Sequence, residues 1–250
     1  MSRRFLAALS ILSVSVLLAY ALLLNPNASA SPQELKVISQ TRGNEVLTAQ
    51  VLEGQVRVRL KNNHKDTITA FVIRFNRMTV TEDFAYSEVH FGIEPGDTFE
   101  KDYALSTSTK ESEVPTLSLL TVLLKDGSHD GNAKVAQKIK DERLGEKIQT
   151  LRVLRILGRE GLSHQDIKAV KGDIAAAFDA DEYEARIIRK ELLPASGIDD
   201  KLSDDLKNGL HWGREKMLQK FQTLEQLPTE QREQGLIELK DRTQRLFAKL

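Results

Sequence analysis

The hydrophobic period of this chain changes once, at Gly131, and that change constrains the fold more than any motif does. Before it, Val56, Val58 and Leu60 alternate with Arg57, Arg59 and Lys61, the period-two pattern of a strand with one buried face. After it, long Pro-free stretches carry apolar residues three and four apart, the spacing of one side of a helix. Charge changes at the same place. Residues 31–130 hold 11 bases and 15 acids, net −4, whereas residues 131–250 hold 23 bases and 21 acids, net +2. The two periods predict an α+β protein, with strands first and helices after.

In the first part, Asn62-Asn63-His64-Lys65-Asp66 reads as a turn. The strand that follows, Thr67 to Phe75, is apolar on both sides, which predicts a central position. Pro95-Gly96-Asp97 is turn chemistry, Thr98 to Leu105 a strand, and Leu117 to Lys125 an apolar strand after Pro115. Leu35 to Ser39 and Glu45 to Leu52 supply two more. Six or seven short strands without a helical pattern between them predict an antiparallel sandwich of immunoglobulin-like size.

In the second part, Ala133 to Leu157 places Val135, Ile139, Ile148, Leu151 and Leu154 near one face. Ser163 and Asp166 form an N-terminal cap for a helix from Gln165 to Phe178, and Tyr183 to Leu193 is a third helix, stopped by Pro194 and Gly197. Leu202, Leu206, Leu210, Met217, Phe221 and Leu224 form a long stripe; Leu236, Leu239, Thr243, Leu246 and Leu250 form another after Pro228. These predict a long antiparallel helical hairpin, about 33 Å from end to end. Its apolar stripes must be covered by the sandwich, the earlier helices or a second copy of the hairpin, and short connections favour Ala133 to Leu157.

Arg3 and Arg4 precede an apolar run from Phe5 to Leu24, an export signal. Twenty residues of helix span about 30 Å, the thickness of a bilayer core, which fits an uncleaved anchor. Ala28-Ser29-Ala30 fits cleavage before Ser31. In either case the rest of the chain is expected outside the cytosol, periplasmic or secreted. Ser2-Arg3-Arg4-Phe5-Leu6 also resembles a twin-arginine signal, one residue short of the usual spacing. The expected organisation is thus 1–30 signal peptide or anchor, 31–130 β-sandwich and 131–250 helical region.

Three segments carry a likeness: Val56 to Phe75 (VRVRLKNNHKDTITAFVIRF), Gly92 to Leu105 (GIEPGDTFEKDYAL) and Thr121 to Val135 (TVLLKDGSHDGNAKV). They resemble a group of uncharacterised exported bacterial proteins built as an immunoglobulin-like β-sandwich followed by helices. The shared features are an Asn-rich turn, a Pro-Gly turn and a strand ending in Asp-Gly-Ser. The chain departs from that pattern at Leu124-Lys125, where an aromatic–acidic pair is usual. The resemblance implies an extracytoplasmic sandwich and no particular activity.

With 36 bases and 36 acids the chain is neutral, which removes the electrostatic case for nucleic acid or an anionic membrane surface. The membrane enters only through residues 5–24 if they are retained. Zero Cys excludes disulfides, thiolate metal sites, Cys nucleophiles and a lipid-modified N-terminal Cys. The one metal-like pattern is Asp126-Gly127-Ser128-His129-Asp130, whose Asp126, Ser128 and Asp130 place oxygen ligands at alternate positions as a calcium loop begins. Gln137 stands where the bidentate carboxylate belongs, and Asp-Gly with Asn132 as a helix cap explains the same residues as a turn. His211 and Glu215 have the i, i+4 spacing of two ligands or of an ordinary surface pair. Asp179, Asp181, Glu182 and Glu184, followed by Arg186, Arg189 and Lys190, match a helix dipole. Thr107 and Lys110 come nearest to a Ser-x-x-Lys pair but begin with Thr, and no cofactor motif appears.

The favoured expectation is a noncatalytic envelope protein that binds or scaffolds, its partner an envelope protein or a second copy through the helices. A metal-dependent hydrolase centred on Asp126–Asp130 is the alternative from another class. An envelope stress or metal-sensing helical module, from Leu227-Pro228-Thr229-Glu230-Gln231-Arg232, is a third.

Overall fold

The computed structural model describes residues 33–42, 44–52, 55–77, 80–86, 91–104, 116–159, 167–176, 182–198 and 200–250. The apolar run Phe5 to Leu24, the cleavage site after Ala30, the Ser163–Asp166 cap, Thr107, Lys110, Asp179 and Asp181 lie outside them. Among the described residues are nine strands: β1 (Gln33–Glu34), β2 (Lys36–Ser39), β3 (Asn44–Leu52), β4 (Gln55–Asn62), β5 (Ile68–Arg77), β6 (Val80–Tyr86), β7 (Thr98–Ala104), β8 (Thr116–Leu124) and β9 (His129–Gly131). Five helices follow: α1 (Ala133–Leu157), α2 (Ile167–Ala175), α3 (Tyr183–Leu192), α4 (Asp204–Glu225) and α5 (Thr229–Lys249). The chain is α+β, as its two periods require. No helix among the described residues is long and apolar enough to cross a membrane.

The strands form two sheets. One has the order β1-β3-β4-β7, the other β2-β8-β5-β6, with β9 pairing on β8. Val56, Val58 and Leu60 of β4 point inward, as their alternation demands, and meet Phe71, Ile73 and Phe75 of β5 and Leu117, Leu119 and Val122 of β8 in one core. Phe71 sits at its centre, fully buried, with the rings of Phe91 and Phe99 at 5.6 and 5.3 Å. The opposite face of β5 and β8 is buried too. There Ala70, Val72, Leu120 and Leu123 pack on Ala136 and Ile139 of α1. The two-sided strand is therefore central because a helix covers its outer face.

The expectation of an antiparallel sandwich needs correction. β2 pairs with β8 in parallel, Lys36 opposite Thr116 and Ser39 opposite Leu119. The chain leaves β2 for the other sheet at once, so β2 finds its neighbour only after every intervening strand has been laid down. Parallel neighbours require such a long crossover. β6 was missed because Glu82 and Asp83 interrupt its pattern; Arg74 of β5 pairs with Asp83 across the ladder.

Local signals explain the helix starts. Asn132 caps α1, its Oδ1 accepting from the backbone N–H groups of Lys134 and Val135 at 3.1 and 3.2 Å. Ser203 caps α4 in the same way through Leu206 N, ahead of Asp204 and Asp205 in the first turn. Gly131, at φ +96°, brings its backbone against Leu120, where a Cβ would overlap the carbonyl oxygen.

α1 is not buried along one face. Ala136 and Ile139 face the sheet, Ile148 packs with Ala185 and Ile188 of α3, and Val153, Ile156 and Leu157 join Met217, Phe221 and Leu224 of α4. It is the pivot between the sandwich and the other helices. Arg143 reinforces the junction by donating to Thr69 O and, at 3.1 Å, to Thr69 Oγ1. The α4–α5 hairpin forms as expected, closed by Arg232, which donates to the carbonyls of Leu227 and Glu225. Leu236 and Leu239 of α5 are buried in the core that α1 and α4 share. The hairpin is thus covered by Ala133 to Leu157 of its own chain.

Candidate functional site

The turn residues singled out by sequence converge at one end of the sandwich. Asn62, at the end of β4, is fully buried and donates through Nδ2 to Asp66 O at 2.9 Å and Ile93 O at 2.7 Å. Its Oδ1 accepts from His64 N. Asp66 accepts from Thr67 N through Oδ1 and from Asp126 N through Oδ2, at 2.8 and 3.0 Å. Thr67 Oγ1 donates to Glu94 at 2.8 Å. A buried amide and a carboxylate thereby join the turn after β4, the segment around Ile93 and the turn between β8 and β9.

The three residues proposed from sequence as oxygen ligands lie in the same region. Asp126 Oδ1 accepts from Ser128 N at 2.8 Å, and hydrogen bonds from Ser128 hold the Asp126 carboxyl below the usual carboxylate range. Gly127 between them, at φ +84°, permits the tight turn. Asp130 Oδ2 accepts instead from Arg42 N at 2.8 Å, beyond β2, and lies 3.8 Å from His64 Nε2. Thr121 Oγ1 donates to the Asp130 carbonyl at 2.9 Å. One oxygen of each carboxylate thus accepts a backbone N–H, Asp126 from within its own turn and Asp130 from the segment after β2. Among the described residues no three His, Asp or Glu side chains gather as a metal site.

The remaining candidates separate. His211 and Glu215 lie on α4, but Arg214 stands with both: its Nη2 is 3.1 Å from His211 Nδ1 and its Nε 3.6 Å from Glu215 Oε1. Glu184 lies in the first turn of α3 and Arg189 and Lys190 in its last, the order that complements the dipole. The two described acids also have distant partners, Glu182 with Lys207 at 3.0 Å and Glu184 with Arg152 at 3.1 Å. Arg189 donates to the carbonyls of Gly197 and Asp200, closing the loop before α4.

Two features had no signal in the sequence. The Asp66–Asp126 bond joins residues 60 positions apart, so neither local pattern announces the other. Gln149 of α1 is fully buried against Gly213, and neither its Oε1 nor its Nε2 finds a hydrogen-bond partner among the described residues. It stands in an otherwise ordinary polar position of the helical repeat.

Comparison with family models, with curated proteins and with solved structures returned no match.

Proposed function

We propose that this is an exported, noncatalytic protein of the bacterial envelope that binds or scaffolds, with a sandwich of immunoglobulin-like type at 31–130 and a helical region at 131–250. The observation that carries the reading is how the loops at the sandwich end use their polar groups. Asp66, Asp126 and Asp130 each hold a backbone N–H of another residue, and Asn62 holds two carbonyls from separate loops. Groups committed this way fix loop shape, as a recognition surface requires. The Arg3-Arg4 pair followed by Phe5 to Leu24 supports delivery across the membrane, with the segment removed before Ser31 or kept as an anchor.

Fractionation of cells making the tagged full chain, followed by intact mass, tests the location. A soluble species beginning at Ser31 or a membrane-bound full-length chain is expected; a soluble, full-length chain in the cytosol overturns the reading. A loop test accompanies it. Asp126→Ala and Asp130→Ala should lower the melting temperature whether or not calcium or zinc is present. A loss of bound metal that accompanies either substitution would favour the hydrolase instead.

A further inference from the structure

Trp212, the single Trp of the chain, is 60% exposed on α4. Lys216 and Lys220 follow it at four-residue intervals, so the three share one flank of the helix over about 12 Å. Lys216 Nζ lies 2.8 Å from Glu146 Oε1, a mostly buried carboxylate on α1. The charge of Lys220 is attracted by the same carboxylate and repelled by Arg242 of α5. Arg242 in turn stands 3.3 Å from Glu238, one turn away on its own helix. The local sum is three cations and two carboxylates, and both carboxylates are already in contact with another cation. Among the described residues, Lys220 has no carboxylate of its own.

The electrostatics mark the same deficit. Burial of the ammonium lowers the pKa of Lys220, and repulsion from Lys216 and Arg242 lowers it further, against the attraction of Glu146. Lys220 as a residue is nevertheless exposed on the helix surface. One carboxylate delivered there would face Lys216, Lys220 and Arg242 together. An apolar group about 12 Å away would cover the indole of Trp212, and Trp and Arg are the residue types that most often dominate interface energetics.

We propose that the Trp212–Lys216–Lys220 flank, completed by Arg242, docks an acidic polypeptide segment carrying an apolar side chain three or four residues from its carboxylate. The spacing follows from the rise of an extended chain, about 3.3 Å per residue, across about 12 Å. This deepens the binding reading above by giving it a surface and a partner chemistry.

Because Trp212 is the only Trp, its emission reports the site directly. The probes are a synthetic peptide with one Leu followed by Glu three and four residues later in a Gly-Ser background, the same peptide with Gln for Glu, and phosphatidylglycerol vesicles. The Glu peptide should shift Trp212 emission to the blue and saturate, weakening with added salt. Lys220→Gln, which leaves the Lys216–Glu146 pair intact, should weaken binding about tenfold while circular dichroism and melting temperature stay unchanged. No shift with the Glu peptide, an equal response to the Gln peptide, or an undiminished response in Lys220→Gln overturns the proposal. A shift with vesicles alone also overturns it and assigns the flank to a lipid surface. None of these outcomes touches the export test, which reads location and not affinity.

Discussion

Gly209 of α4 lies against the backbone of Glu142 of α1, so close that a Cβ added to Gly209 would come within 2.9 Å of the Glu142 Cα and overlap its carbonyl oxygen. Gly145 of α1 makes the reciprocal approach, 2.7 Å from its added Cβ to Leu210 N. Further along, Gly213 lies against Gln149, so the two helices advance in the same direction with backbones in contact. Chain connections keep α2 and α3 between them in sequence, yet their glycines bring α1 and α4 closer than any helices with side chains at the seam could come.

Gly209→Ala should therefore destabilise the protein by about 1–3 kcal/mol, since the methyl meets backbone that cannot rotate away. Gly172→Ala is the control. Gly172 lies within α2 with nothing inside 4 Å of its added Cβ, so the substitution should stabilise by about 0.5–1 kcal/mol. Thermal melting of both variants checks the pair, and equal effects of the same sign would contradict the close helix contact.

Phe71 anchors the other half of the molecule between the two sheets. Phe71→Ala should cost about 3–5 kcal/mol, because it removes the ring that Phe91 and Phe99 contact and leaves a cavity. Denaturant unfolding measures it. A loss below about 1 kcal/mol would place Phe71 outside the core.

Gln149→Leu should raise the melting temperature. The buried amide forms no hydrogen bond, so its desolvation of about 1–3 kcal/mol is uncompensated, and Leu fills a similar volume without it. A lower melting temperature would mean that the amide has a partner in solution.

Asp83 gives a dependence on pH. Two hydrogen bonds from Arg74, at 2.7 and 2.8 Å, hold its carboxyl below the ordinary value of 3.8. A depressed folded-state pKa contributes stability above the unfolded value, and that contribution is lost as pH falls through the folded value. Wild type should exceed Asp83→Asn in stability at neutral pH, by a small margin because both side chains are well exposed. The margin should close in acid below 3.8. A difference that is constant from neutral to acid pH would show that the pair carries no charge-dependent stability.

The sequence by itself determined those features whose cause lies within a few residues. Val56, Val58 and Leu60 needed only their alternation to declare an inward face, and Asn132 only the bare N–H groups just ahead of it. The hairpin turn at Pro228 and the left-handed Gly127 are local in the same sense. Tertiary structure alone decided which sheet each strand joined. β2 lies parallel to β8 because pairing depends on what remains unpaired after the chain has crossed the sandwich, and no periodicity within β2 encodes that. Likewise β6 carries its two acids into a ladder with β5, and α1 buries three separate patches instead of presenting one stripe. The Asp126–Asp130 loop shows the same limit at the candidate site. Its residue types announce a turn but not the segments that the turn joins; Asp66 and Arg42 are distant residues whose hydrogen bonds engage this loop only after folding has brought them to the same end of the sandwich.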